Sequence, residues 1–194
     1  KPILSLYLKK NPFFIIEASS FQLAYSKFIK PKYAIILNIS KDHLDWHGSM
    51  NNYINSKLKI FSLQTNNNFA FINNKEILKK YKKMKYSGKL ILVKRNNYNK
   101  IKKNIKNNYL SSKANEENMS FVLAISNKFK IKKKIFAKSL NSFKGLPHRY
   151  EIFLKKKNLI FINDSKATSF QSTRFALQSN KNIFWILGGL PKLG

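Results

Sequence analysis

The sequence predicts an α/β fold, on three observations. Short continuous apolar runs recur at residues 13–16, 34–37, 159–162 and 183–187. They do not alternate with polar residues, which is the pattern of strands buried on both faces, as in parallel sheets. Stretches with helical spacing lie between the runs, and strand–helix alternation is the mark of the α/β class.

The elements follow in order. The run at 13–16 predicts a first strand and the run at 34–37 a second. Met50, Tyr53, Ile54, Leu58 and Phe61 fall on one face of a helix near 49–62. Residues 73–113 are rich in Asn and Lys and weakly patterned; they predict a short helix, a strand near 89–93 and loops. Two further helices are predicted near 115–129 and 132–141. Gly145 and Pro147 stop the preceding helix and start an extended segment. A hairpin is expected next, with strands at 149–154 and 159–163 and a turn at 155–158. A helix near 168–179 carries Phe170, Thr173, Arg174 and Leu177, and the run at 183–187 predicts a last strand. The break at 145–147 divides the chain into 1–144 and 145–194. The second part is too small for an independent α/β domain. The chain begins at Lys1 and stops at Gly194, where a helix should follow, so the sequence reads as an internal piece of a longer protein.

Composition narrows the function classes. The 194 residues are 43% hydrophobic, enough for a packed core and too many for wholesale disorder. No apolar run approaches the roughly 18 residues of a membrane span. With no cysteine, disulfide scaffolds, thiolate zinc sites and cysteine nucleophiles are excluded. The cytoplasm is the expected compartment. The net charge of +30 invites a nucleic-acid reading. Yet among 38 basic residues only Arg95, Arg149 and Arg174 are arginine, the residue suited to bidentate phosphate and guanine recognition. Runs such as Asn66-Asn67-Asn68 and Lys132-Lys133-Lys134 point to a compositional bias that fills solvent faces with Lys and Asn. No specific nucleic-acid partner is expected.

Residues that resist this bias mark the candidate sites. Glu17-Ala18-Ser19-Ser20-Phe21-Gln22-Leu23 follows the first apolar run. Glu17 offers an oxygen ligand for Mg²⁺, while Ser19 or Ser20 serves equally as a helix cap. Asn38-Ile39-Ser40-Lys41-Asp42-His43-Leu44-Asp45-Trp46-His47-Gly48 follows the second run, with two His and two Asp within six residues. These suit metal ligation or proton movement, or a polar loop that caps the next helix. Nothing completes a zinc set. Lys57 lies on the apolar face of its helix, four residues from both Tyr53 and Phe61. A buried ammonium is costly unless paired, neutralised or modified; a stem that snorkels to the edge is the alternative. Gly145-Leu146-Pro147-His148-Arg149 puts an arginine at the junction, where it suits a phosphate clamp. In Asn163-Asp164-Ser165-Lys166-Ala167-Thr168, Thr168 is expected to open a helix. Gly188 and Gly189 leave room for a ligand beside the last run. The chain has no Gly-x4-Gly-Lys-Ser/Thr loop.

Taken together and in this order, these segments resemble the Mur ligases, and within them the D-glutamate-adding branch. The segments are Glu-x-Ser-Ser-Phe-Gln-Leu, Leu-Asn-Ile-Ser-x-Asp-His-Leu-Asp-x-His-Gly, Tyr-x3-Lys, Gly-Leu-Pro-His-Arg, Asn-Asp-Ser-Lys-Ala-Thr and Leu-Gly-Gly, spread from about Phe13 to Lys192. The resemblance implies part of the central ATP-binding domain with a parallel-rich sheet over 1–144, then the start of a Rossmann-like C-terminal domain over 145–194. It implies a ligase that uses ATP and Mg²⁺ to join UDP-N-acetylmuramoyl-L-alanine to D-glutamate through an acyl phosphate, in peptidoglycan precursor synthesis. A monomer is implied for the full-length enzyme.

The resemblance also implies roles for residues. Glu17 and His43 match Mg²⁺ ligands, and Lys57 matches a lysine carbamylated by CO₂. Asn115 and Asn118 match a pair beside adenine, although Lys113 and Ala114 depart from the family's usual residues there. Arg149 and Asp164 match groups near the γ-phosphate and ribose. Lys166, Thr168 and Lys192 match contacts to D-glutamate or the transferred phosphate. Pro191 stands where the family usually has Asp. The family's UDP-binding domain and its P-loop have no counterpart in these residues, so the 194-residue piece alone is expected to be inactive. Another ligase of the superfamily, such as a folylpolyglutamate synthase, is the nearest alternative.

Overall fold

The computed structural model describes residues 12–112 and 115–190. Its centre is a three-stranded parallel sheet of β1 (Tyr33–Ile35), β2 (Phe69–Ile72) and β3 (Lys89–Leu92), in that order. Ala34 pairs with Ala70 and Ile35 with Phe71, and Phe71 pairs with Ile91. Helices fill the connections: α1 (Ser20–Tyr25) precedes β1, α2 (Leu44–His47) and α3 (Met50–Leu58) lie between β1 and β2, and α4 (Lys75–Lys83) lies between β2 and β3. After β3 come α5 (Arg95–Lys102), α6 (Asn108–Ser111), α7 (Glu116–Lys128) and α8 (Lys133–Asn141).

The period of two along each strand explains the layers. Ala34, Ile36, Ala70 and Ile72 face one side, where Ile54, Leu58, Phe61, Ile77 and Tyr81 of the α3–α4 layer cover them. Phe71 and Val93 face the other side and meet Phe121 of α7. A third cluster joins α5 to α8 through Tyr98, Leu110, Met119, Leu123, Phe136 and Leu140. The predicted α/β class is therefore observed. The helix predicted near 49–62 is α3 with a closing 3-10 turn, Lys59–Phe61, and the helices near 115–129 and 132–141 are α7 and α8.

Beyond α8, β4 (Glu151–Lys156) and β5 (Leu159–Asn163) form the predicted antiparallel hairpin, followed by α9 (Phe170–Gln178). Gly145, at φ +91°, turns the chain into it.

Three sequence expectations are corrected. Residues 13–16 form no strand; Phe13 to Ile16 are exposed, with the Phe13 ring edge-on to Phe129. Residues 183–187 likewise form no strand and are exposed. A strand needs a neighbour for its N–H and C=O groups, and among the described residues neither run has one. The run at 159–162 is a strand, but Leu159, Ile160 and Phe161 are exposed rather than buried on two faces, because among the described residues the two-stranded hairpin lacks a covering layer. β2 has no counterpart among the strands that the sequence predicts. Four apolar residues follow a turn in which Asn68 Oδ1 accepts from Thr65 N–H at 2.8 Å, and that Asn-rich turn sits in a stretch dominated by compositional bias.

Candidate active site

Parallel strands aim their C-terminal ends at one edge of the sheet, the usual ligand edge of α/β folds. The loop after β1 delivers Asp42 and His43 to that edge. Asp42 shapes its own turn: Oδ1 accepts from His43 N–H at 3.0 Å, and Oδ2 lies 3.5 Å from His43 Nε2. His43 adopts the left-handed conformation, φ 55°, a conformation that costs energy for a residue with a Cβ and so tends to persist where surroundings enforce it. Ser49 then caps α3, accepting from Asn52 N–H at 3.1 Å.

Tyr53 is the buried hub of this site. His43 approaches its ring at 6.5 Å between centroids, His47 at 5.1 Å, and Lys57 Nζ lies 5.0 Å from its centre. Burial pushes the Lys57 pKa down, opposed by the Asp42 charge, which favours the ammonium. The structure thus places Lys57 against the protein rather than on a solvated face, and brings Asp42, His43 and Lys57 to one locus.

Glu17 is exposed at the end of the segment leading into α1. Ser19 caps that helix in a reciprocal box with Gln22: Ser19 Oγ accepts from Gln22 N–H at 3.2 Å, and Gln22 Oε1 accepts from Ser19 N–H at 2.8 Å. The capping reading of Ser19 holds. Ser20 is different. It is buried, and its Oγ lies 2.9 Å from His47 Nε2. Phe21 covers the same ground, edge-on to His43 at 4.9 Å and stacked on His47 at 5.5 Å. Through α1, therefore, Glu17 is tethered to the His43 loop. Among the described residues no three His, Asp or Glu side chains gather about one metal-sized point.

Sequence offers His47 for metal ligation or proton movement, but the structure spends its Nε2 on the buried Ser20 hydroxyl. Its signal was its place in the Asp-x-x-Asp-x-His pattern. Desolvation is the main cause lowering its pKa, with the His43 and Lys57 charges adding to it, so the neutral ring is favoured in the fold.

The second group of candidates lies at the start of α7 and in the 146–150 turn. Asn115 is buried and spends its amide on the backbone, donating to Tyr109 C=O at 2.8 Å; Asn118 is one turn on. The Tyr109 ring stacks on Tyr150 at 6.1 Å. Tyr150 N–H in turn donates to Asp164 Oδ1 at 2.9 Å. Asn115 and Asp164 thus sit along one chain of contacts, with Arg149 next to Tyr150 in sequence. Arg149 is exposed between two residues of positive φ, His148 at 62° and Tyr150 at 46°. Lys166 is exposed, with its N–H held by His148 C=O at 3.0 Å. Thr168 is exposed and does not open a helix; α9 starts at Phe170, where Ser169 and Ser172 bond reciprocally, because Ser169 rather than Thr168 takes the capping position. Lys192 lies outside the described residues.

Comparison with known proteins fits this arrangement. The Mur ligase middle domain family matches residues 3–144. A UDP-N-acetylmuramoylalanine--D-glutamate ligase of Natranaerobius thermophilus is 32% identical over 93% of this chain and 43% of its own length. Ligases of the same name from Rickettsia felis and Elusimicrobium minutum are each 34% identical, over 93% and 95% of this chain. The chain spans 44% and 45% of their lengths, under half of each relative. With its parallel α/β core and a middle-domain match over most of its residues, the chain belongs to the Mur ligase family.

Proposed function

We propose that the protein containing this chain is an ATP-dependent ligase that adds D-glutamate to UDP-N-acetylmuramoyl-L-alanine in cytoplasmic peptidoglycan precursor synthesis. The observation that carries this reading is the gathering of Asp42, His43 and Lys57 around Tyr53 at the C-terminal end of β1, within a Mur ligase middle domain. The names of the relatives supply the substrate pair.

In this reading an oxygen of the alanyl carboxylate attacks the γ-phosphorus of ATP, ADP leaves, and an acyl phosphate forms. The D-glutamate amine then attacks the acyl carbon, phosphate leaves, and the amine loses a proton as the amide forms. Such chemistry depends on positioning and charge neutralisation. The donor chemistry suits Mg²⁺: Asp42 offers the hard oxygens it prefers beside His43, and Glu17, on the segment that α1 ties to the same loop, would add another. Bound there, Mg²⁺ would neutralise phosphate charge. As a carbamate, formed when its neutral amine takes up CO₂ and releases a proton, Lys57 would add an anionic oxygen donor that supports the Mg²⁺; its lowered pKa favours the neutral amine. Arg149 is assigned to the γ-phosphate, Asn115 and Asn118 to the adenine, Asp164 to the ribose, and Lys166, Thr168 and Lys192 to D-glutamate or the transferred phosphate.

Residues 1–144 and 145–194 are assigned to the central and C-terminal domains, with 145–147 as the hinge. The buried clusters of the described residues end at Leu140, in line with that division. The full-length protein is taken to be a monomer and the 194-residue chain alone to be inactive. Hydroxylamine tests the intermediate. With ATP, Mg²⁺ and UDP-N-acetylmuramoyl-L-alanine but no D-glutamate, the full-length protein should convert the substrate to its hydroxamate. Substrate left unmodified under conditions that support full turnover would rule out a free-standing acyl phosphate.

A further inference from the structure

We infer that His47 is a positioning residue that sets the distance between the Glu17 segment and the Asp42–His43 loop, through its hydrogen bond to Ser20. The inference rests on the proposed ligase site, since it assigns His47 a task within it.

The geometry is specific. Ser20 and His47 are 27 positions apart, yet both are more than nine-tenths buried, at 3% and 6% exposure, and their side chains meet at 2.9 Å. Ser20 lies three residues after Glu17, and His47 four residues after His43. The bond therefore ties together the two segments that bring the metal-binding candidates. The imidazole is fixed on its other sides by rings: Phe21 stacks on it with planes 24° apart, Trp46 meets it edge-on at 4.5 Å, and Tyr53 leans on it at 5.1 Å. Phe21 and Tyr53 are also the rings that touch His43. A side chain held on three faces and bonded at its tip has one available position, and it passes that constraint to both segments. Asn52 Nδ2 donates to the His47 C=O at 3.0 Å, fixing its backbone to α3, the helix that carries Lys57. A core aromatic needs none of this polar pairing. Phenylalanine would fill the volume, so the nitrogen and its serine are present for alignment rather than for bulk.

Outer-shell groups that orient metal ligands typically change metal affinity or activity roughly 10–100-fold when removed. The test uses Ser20→Ala, His47→Phe and the double variant in the full-length protein. Three quantities are read: kcat with its dependence on Mg²⁺, Mn²⁺ binding by electron paramagnetic resonance without substrates, and the thermal midpoint. Both single variants should lose roughly 10–100-fold in kcat and weaken Mn²⁺ binding by a similar factor. Their thermal midpoints should fall by no more than the few degrees that one lost buried hydrogen bond costs, and the double variant should be no worse in kcat than the poorer single one. A purely structural role would lower the midpoint and leave the folded enzyme with wild-type kcat and Mn²⁺ affinity, which overturns the inference. If His47→Phe does not fold, Ser20→Ala alone decides: wild-type kcat and Mn²⁺ binding in that variant overturn it. Should wild type form no product with D-glutamate, the ligase reading fails, and the Mn²⁺ comparison still judges the role of His47.

Discussion

Replacing Lys57 with alanine in the full-length protein is expected to lower kcat roughly 100–1000-fold, the size of effect seen when one preorganised charge-stabilising group is lost. Alanine is the better helix former, so α3 should persist. The loss should come from chemistry, because Lys57 is held beside Tyr53 and Asp42, where burial lowers its pKa. That shift favours the neutral amine, the form that reacts with CO₂. Since carbamate formation releases a proton, carbamylation should weaken as pH falls, and CO₂ depletion should mimic the mutation. Acetate should partly restore Lys57→Ala by occupying the vacated anionic position. It should do nothing for Lys57→Arg, whose larger and permanently charged guanidinium fills that space. Wild-type turnover in Lys57→Ala, or equal rescue of both variants, would reduce Lys57 to a lysine packed for stability alone.

Phe61→Ala is expected to cost about 3–5 kcal/mol of stability, the usual range for emptying a fully buried aromatic site. Phe61 is completely buried between the sheet and α4, edge-on to Tyr81 at 5.2 Å and near Tyr86 at 6.2 Å. Those two tyrosines cannot easily collapse into the gap, because Tyr81 is pinned by its hydroxyl, which donates to Gly88 C=O at 2.6 Å. Urea unfolding of the full-length protein checks this, and a cost below about 1 kcal/mol would mean that the α3–α4 layer repacks freely.

What the sequence made legible followed local rules. The α3 face was readable because Tyr53, Ile54, Leu58 and Phe61 repeat at helical spacing, and each of them is buried. The hairpin of β4 and β5 was readable from the polar turn between two apolar runs. The residues at 13–16 and 183–187 misled because apolarity announces a preference for burial, while a strand requires a partner at hydrogen-bonding distance, which is not a local property. β2 escaped for the opposite reason: its burial on both faces comes from β1, β3 and the helices above and below, while only four residues encode it.

The site divides in the same way. Asp42, His43 and Lys57 stood out by residue type and by placement after a strand or on an apolar face, and the structure groups them around Tyr53. The Ser20–His47 bond was invisible, since it joins residues 27 apart whose pairing depends on how α1 packs over α2 and α3. Thr168 looked like a helix opener because it precedes an apolar helical pattern. The reciprocal Ser169–Ser172 pair competes better for the free N–H groups.

The central claim is the addition of D-glutamate, and phosphate release by the full-length protein tests it most directly. With ATP, Mg²⁺ and UDP-N-acetylmuramoyl-L-alanine present, adding D-glutamate should start sustained phosphate release, and L-glutamate at the same concentration should release phosphate at least about 10-fold more slowly, a margin of about 1.4 kcal/mol in transition-state binding. Equal rates with the two enantiomers, or no release with either, would contradict it.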